Sequence, residues 1–283
     1  MKILSESLKQ ELKQSVKYAI AEDIGSGDIT AALIPKDKQA RAKILVRHEA
    51  VLSGSPWLNE VYGALDRNIN VLWHAKDGDV LVKDQVVCEL IGVAATILTG
   101  ERTALNFLQT LSATATATYN FSNAMLGSNT KILDTRKTIP GLRLAQKYAV
   151  RCGGGHNHRL GLYDAILIKE NHIAASGSIS NAVQTLRISN QAIKIEVEVE
   201  SLRELQEALD NNVDMVLLDN FSLAQIKEAV KLVDKKALIE LSGGITLDDV
   251  TALKSLGVDY ISVGALTKNI QATDFSMLFE ELD

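Results

Sequence analysis

The sequence predicts an α/β protein in which a barrel of parallel strands follows a smaller mixed domain. Three observations carry that expectation. The chain has 283 residues, too many for one small domain and too few for three. From Lys131 onward, strand-like apolar runs alternate with amphipathic helical stretches, and the runs start roughly 20 to 34 residues apart, the rhythm of successive βα units. Each run also exits into polar or glycine residues at its C-terminal end, the face on which such barrels build their sites.

The elements follow in order. Glu6 to Glu22 is expected to be helical, with Leu8, Leu12, Val16, Tyr18 and Ala19 as its apolar set. Asp23-Ile-Gly-Ser-Gly-Asp28 is a loop. Ala42–Arg47, Val71–His74, Asp77–Asp84 and Val86–Leu90 read as antiparallel strands with tight turns, and Thr99–Tyr119 as a long bridging helix. The parallel strands are Lys131–Leu133, Ala165–Ile168, Ile193–Val199, Met215–Leu218, Ala237–Ile239 and Tyr260–Val263. Helices are expected at Leu202–Leu209, Leu223–Val233 and Leu247–Leu256. The predicted domains are 1–110 and 111–267, with the tail 268–283 returning to the first. An open, doubly wound sheet is the structural runner-up, because periodicity does not prove closure.

Composition narrows the function. With 46% hydrophobic and 23% charged residues the chain is an ordinary globular sequence rather than a disordered one. Aromatic residues are only 5% and the net charge is −5, so neither a base-stacking platform nor a basic field for nucleic acid is present. No apolar run reaches membrane-spanning length, and the N-terminal Met-Lys-Ile-Leu-Ser-Glu turns polar at once. Two cysteines, Cys88 and Cys152, make no disulfide framework. A cytoplasmic protein is expected.

The charge is concentrated. Between Lys131 and His172 eight basic residues face three acids, in a chain that is acidic overall, so this window is expected to bind an anion. Arg143, Lys147 and Arg151 fall at helical spacing and are read as a basic surface helix. Arg136, Lys137, Arg159 and Lys169 lie outside it and supply forks and point charges for carboxylates and phosphates. Glu198 and Asp219 stand where doubly buried strands should be apolar, so they require Mg²⁺ or sugar hydroxyls as partners. Glu196 and Glu200 are read as equally consistent with a solvated strand end. Ser242-Gly243-Gly244 and Val263-Gly264-Ala265 place small residues before helix starts late in the barrel, a phosphate position. Cys152, His156 and His158 lack a fourth ligand at structural-zinc spacing, and no P-loop, dinucleotide fingerprint or nucleophile elbow appears. Phosphate, metal and carboxylate elements on one face point to transfer of a phosphorylated sugar to an acidic acceptor.

Three blocks sharpen that reading: Asp134-Thr-Arg-Lys-Thr-Ile-Pro-Gly141, Gly153-Gly-Gly-His-Asn-His-Arg159 and Ile168-Lys-Glu-Asn-His172. Together with Glu22–Asp28, Gly100-Glu-Arg-Thr-Ala-Leu-Asn106, Glu196-Val-Glu198, Leu217–Asn220, Ser242–Gly244 and Ser262–Ala265, they make the chain resemble the quinolinate phosphoribosyltransferases along essentially its whole length. The resemblance implies an N-terminal α/β sandwich domain, an incomplete, TIM-like α/β barrel and a homodimer with shared active sites. It also implies the decarboxylating transfer of phosphoribosyl from phosphoribosyl pyrophosphate to quinolinate, with Mg²⁺. By position it gives Arg136, His158 and Arg159 the quinolinate carboxylates, and Lys137 and Lys169 the space between acid and donor. Thr135 joins this substrate set. Glu198 and Asp219 receive ribose hydroxyls and metal, and the Ser242–Gly244 and Val263–Ala265 turns the 5′-phosphate. Arg102 is implied to come from the neighbouring subunit, and His156 receives no role.

Alternatives stay open beside it. Molybdenum-transport-associated homologues and nicotinate phosphoribosyltransferases share the enzyme class, although the surplus of Arg136, Arg159 and Arg102 favours an acceptor with two carboxylates. Asp77-Gly-Asp-Val-Leu-Val-Lys-Asp-Gln-Val resembles a carrier-domain turn, but Lys83 lacks the flanks of a modified lysine. A non-catalytic ligand sensor on the same fold is the remaining class.

Overall fold

The computed structural model describes residues 4–189 and 193–281. The first three residues of the predicted N-terminal domain and the last two of the tail therefore lie outside the described residues. Two compact units are present, each assembled from separated stretches of chain.

The first unit comprises Met1–Tyr119, Thr138–Gly154 and Leu266–Asp283. Its antiparallel sheet runs β12 (Phe275–Glu281), β1 (Gln39–Val46), β5 (Val86–Val93), β3 (Asn70–Trp73), beside a short ladder of β2 (Ala50–Val51) and β4 (Val80–Leu81). The tail thus adds an edge strand. Helix α1 (Glu6–Ile24) starts where the Ser5 hydroxyl accepts the Leu8 amide, and it buries Leu8, Leu12 and Val16 at helical spacing. The sequence reading missed α2 (Ser55–Leu65), because its start, Gly54-Ser55-Pro56, consists of turn residues. The Asp77 carboxylate closes that start by accepting the amides of Gly54 and Ser55. Long α3 (Ala94–Ala124) exceeds its predicted bounds at both ends.

Helix α4 (Arg143–Cys152) corrects two expectations. It belongs to the first unit, not to the barrel, because Ala145, Tyr148 and Ala149 bury in the same core as Trp57 and Leu108. Gln146 fastens it by donating to Thr114 Oγ1 and the Thr267 carbonyl. Lys147, read as a surface charge, is 2% exposed. The first unit therefore also takes in residues 111–119 and 138–154, beyond the predicted boundary at 110/111.

The second unit comprises Asn120–Lys137 and Gly155–Ala265. Its six strands are β6 (Lys131–Leu133), β7 (Ile166–Ile168), β8 (Ile195–Val199), β9 (Met215–Asp219), β10 (Leu238–Ser242) and β11 (Tyr260–Ser262). All pair in parallel in the order β6-β11-β10-β9-β8-β7. β6, β7, β9 and β11 are largely apolar because both faces are covered, whereas β8 carries Glu196 and Glu198 and β10 carries Glu240. The barrel is open between β6 and β7. There His156 bridges to Leu133, exchanging backbone hydrogen bonds with Ile132 and Asp134 in place of a further strand. Helices α5 (Glu170–Ser176), α6 (Ile179–Ser189), α7 (Leu202–Asp210), α8 (Leu223–Val233) and α9 (Leu247–Leu253) connect the strands, and α10 (Ala265–Lys268) follows the last. Ser201, Ser222 and Thr246 cap α7, α8 and α9, which is why these helices were legible from sequence.

Candidate active site

Parallel register brings the C-terminal ends of the strands to one rim. Ile168 lies beside Val197, Glu198 beside Leu217, Ser242 beside Asp219 and Ser262 beside Leu133. A cavity of about 150 Å³ at this rim is lined by eight of the predicted residues: Thr135, Arg136, Lys137, His158, Arg159, Lys169, Glu198 and Ser242. Leu167, Leu217, Glu240 and Ser262 complete the wall.

Cations dominate it. Partial burial and the neighbouring Arg136 guanidinium push the Arg159 pKa down, against the pull of Glu196, Asp164 and Glu198. Arg136 Nε is buried and has no hydrogen-bond partner. Such crowding is costly alone and is relieved by an anion. Lys169 Nζ is paired with Glu198 Oε2, so the rim also presents one acid locked to one base.

The backbone explains how these charges are held. Asp134, fully buried at the end of β6, accepts the Asn157 side-chain amide at 2.6 Å and the His158 amide at 2.8 Å. It thereby anchors the segment that fills the open edge. Asp164 accepts the amides of Leu160 and Gly161, closing the next turn. Gly264 leaves room for Lys137: a Cβ there would approach Lys137 Cδ to 3.1 Å. Gly243, at φ +114°, presses against Asn220, whose side chain donates to Asp219 Oδ2 at 2.8 Å. Asp219, Gly243, Gly244, Val263, Gly264 and Ala265 are not among the residues lining the small cavity. Arg102 is exposed on α3, in the first unit.

Two residues escaped the sequence reading. Glu196 is 5% exposed and Glu240 is completely buried, so Glu196 is no solvated strand end, whereas Glu200 is exposed. Both face His158: Nε2 lies 3.1 Å from Glu196 Oε2 and 3.4 Å from Glu240 Oε2. Strand alternation offered a signal for Glu196, which shares a face with Glu198. None existed for Glu240, whose partner is distant in sequence. Burial resists a charge on the imidazole, but the two carboxylates outweigh it and raise its pKa to about 10, which by itself favours the charged ring. The Arg159 amide, however, donates to His158 Nδ1 at 2.7 Å. A doubly protonated ring would set N–H against N–H there, so this arrangement is that of the singly protonated ring with its proton on Nε2. The ligand atoms of His158, Glu196 and Glu240 lie within 4.8 Å of one another.

Cys152 takes no part in a zinc set among the described residues. It shares the first unit with Tyr148 and Asp77, and burial raises its thiol to about 11. No described helix is long and apolar enough to cross a membrane.

Residues 28–112 match the family profile described as quinolinate phosphoribosyl transferase, N-terminal domain, and residues 114–278 match its C-terminal domain. A Bacillus subtilis protein described as a probable nicotinate-nucleotide pyrophosphorylase (carboxylating) is 43% identical over 268 residues, 94% of this chain and 93% of the relative. The solved nicotinate-nucleotide pyrophosphorylase of Francisella tularensis superposes with a TM-score of 0.93 at 46% identity, covering 96% of each chain. NadC from Streptococcus pyogenes superposes at 0.95 with 39% identity over the whole of both chains.

Proposed function

This chain belongs to the quinolinate phosphoribosyltransferase family, and from that premise we propose how its barrel rim works. The enzyme transfers the phosphoribosyl group of phosphoribosyl pyrophosphate to quinolinate with loss of CO₂, giving nicotinate mononucleotide and pyrophosphate. The observation that carries the assignment to this rim is the pair Arg136 and Arg159, crowded together with a buried, unsatisfied Nε. Adjacent carboxylates on a pyridine ring match two guanidinium forks, each of which binds a carboxylate in two parallel hydrogen bonds.

The two substrates are both polyanions and repel each other. Lys137 and Lys169 stand between them and lower the cost of their approach. As pyrophosphate leaves C1 of the ribose, positive charge develops there. Glu198 stabilises it once Lys169 turns from its carboxylate toward the incoming acid. Alkylation of the pyridine nitrogen turns the ring into an electron sink; the carboxylate beside that nitrogen departs as CO₂, and the electron pair left on that carbon takes up a proton from water. Ser242–Gly244 and Val263–Ala265 receive the 5′-phosphate on backbone amides.

Glu198 and Asp219 suit Mg²⁺ by chemistry, being hard oxygen donors at the ends of adjacent strands. Mg²⁺ supplies charge neutralisation to the departing pyrophosphate. Arg102 completes the acceptor site from a second copy of the chain in a homodimer, so each dimer has two identical shared sites.

The test is direct. With phosphoribosyl pyrophosphate and Mg²⁺, quinolinate should yield nicotinate mononucleotide, and nicotinate should be a poor acceptor because it leaves a buried cation unpaired. Equal kcat/KM for the two acids would remove the two-carboxylate argument.

A further inference from the structure

The imidazole of His158 is held from both sides, at Nε2 by Glu196, with Glu240 Oε2 3.4 Å away and not hydrogen-bonded to it, and at Nδ1 by the Arg159 amide. Both ring nitrogens are therefore engaged within the protein, although the resemblance gives His158 a substrate carboxylate. We propose that Glu196 and Glu240 are positioning residues: Glu196 accepts from Nε2–H, Glu240 adds its charge beside that nitrogen, and together they hold the His158 ring in the tautomer whose Nδ1 fastens the Arg159 amide, and so aim the Arg159 guanidinium at the acceptor. This rests on the functional reading above in one respect, that Arg159 meets the acceptor's carboxylate.

The physical chain is short. Which imidazole nitrogen keeps the proton is set by the hydrogen bond the other nitrogen makes. Two buried carboxylates on one side demand the proton at Nε2, and the Arg159 amide, 2.7 Å from Nδ1, takes that atom's lone pair. The Arg159 backbone is then fixed at its own nitrogen, while Asp134 holds the preceding amide of His158 at 2.8 Å. The side chain ends with Nη1 on the Ala165 carbonyl at 3.4 Å, a weak tether that leaves the rest of the fork for a ligand. Glu196 and Glu240 lie on β8 and β10, with β9 between them, so the bracing is built into the barrel wall. Both carboxylates are too deeply buried for solvent to hold the ring in their place.

Two double variants separate acceptor from charge. Glu196→Leu with Glu240→Leu removes every acceptor for Nε2–H, while Glu196→Gln with Glu240→Gln keeps amide oxygens in the same places and removes the charge. The leucine pair should raise the quinolinate KM about ten-fold or more and leave the phosphoribosyl pyrophosphate KM within about two-fold. The glutamine pair should restore the quinolinate KM to within about three-fold of the parent. The ¹⁵N spectrum of the parent protein, with His158 assigned through His158→Gln, should show a protonated Nε2 and a pyridine-like Nδ1. The leucine pair should lose that signature. A doubly protonated ring or an Nδ1–H in the parent overturns the proposal, and this measurement needs neither substrate nor a folded leucine variant. So does a glutamine pair as impaired as the leucine pair, or an equal rise in both KM values. Failure of the parent to use quinolinate at all overturns the functional reading instead, and the nitrogen spectrum still decides the bracing.

Discussion

Replacing Gly243 by alanine tests whether the loop after β10 positions the acid at the end of β9. Two separate costs are readable from the structure. Gly243 has φ +114°, which an L-residue adopts only with strain of about 1–2 kcal/mol or more. Its Cβ would also run into Asn220, coming 2.9 Å from the backbone nitrogen and 3.1 Å from Cα, besides colliding with the side-chain oxygen. Backbone atoms do not swing aside as a lysine tip does, so overpacking adds about 1–3 kcal/mol. The sum, about 2–5 kcal/mol, corresponds to a fall on the order of 10 °C in Tm. Gly244 supplies the control within the same loop. Its φ is +61° and a Cβ there meets nothing within 4 Å, so Gly244→Ala should cost only the conformational part, about 1–2 kcal/mol. Because Asn220 donates to Asp219, displacement at Gly243 reaches the acid proposed for the donor. Gly243→Ala should therefore raise the KM for phosphoribosyl pyrophosphate more than that for quinolinate, and Gly244→Ala should disturb that ratio less. Thermal melts and initial rates on the two variants check both statements. Equal loss of stability in the two, or a Gly243 effect confined to quinolinate, would refute the reasoning.

Other perturbations reach the rest of the site. Lys169→Ala should abolish turnover yet hardly move Tm: its side chain is 42% exposed, so its pair with Glu198 contributes about 0–1 kcal/mol to stability. A collapsed melt would mark it as a structural lysine. Mixing inactive Arg102→Ala with inactive Lys169→Ala should restore about a quarter of the sites after random subunit exchange, since one site of each heterodimer is then intact. No recovery despite proven exchange would assign Arg102 to its own subunit's site, and full activity of Arg102→Ala alone would remove it from the site.

Much of the barrel was legible because its physics is local. Parallel strands covered on both faces are continuous apolar runs, and capped helices between them carry their own start signals, so Lys131–Leu133 and Leu223–Val233 were placed to the residue. Arg136, Lys137 and Lys169 were legible because they follow β6 and β7 directly in sequence, whereas Arg159 lies in the segment before β7. Local reasoning failed where a residue's surroundings come from distant chain. Lys147 sits at helical spacing among other basic residues, and only the core that α4 joins makes it buried.

Sequence alone thus determined the βα rhythm, the concentration of charge after the strands and the resemblance in the blocks around Arg136, His158 and Lys169. Tertiary structure decided which of those charges meet. It paired Lys169 with Glu198 and crowded Arg136 against Arg159. It also set the His158 ring, which lines the rim cavity, against Glu196 and Glu240. The physical reason is that a strand's pattern says which residues share a face, whereas the neighbours on that face follow from sheet order and register. Glu240 stands two strands from Glu196 and more than forty residues away in sequence, and only the folded sheet brings both carboxylates to one imidazole.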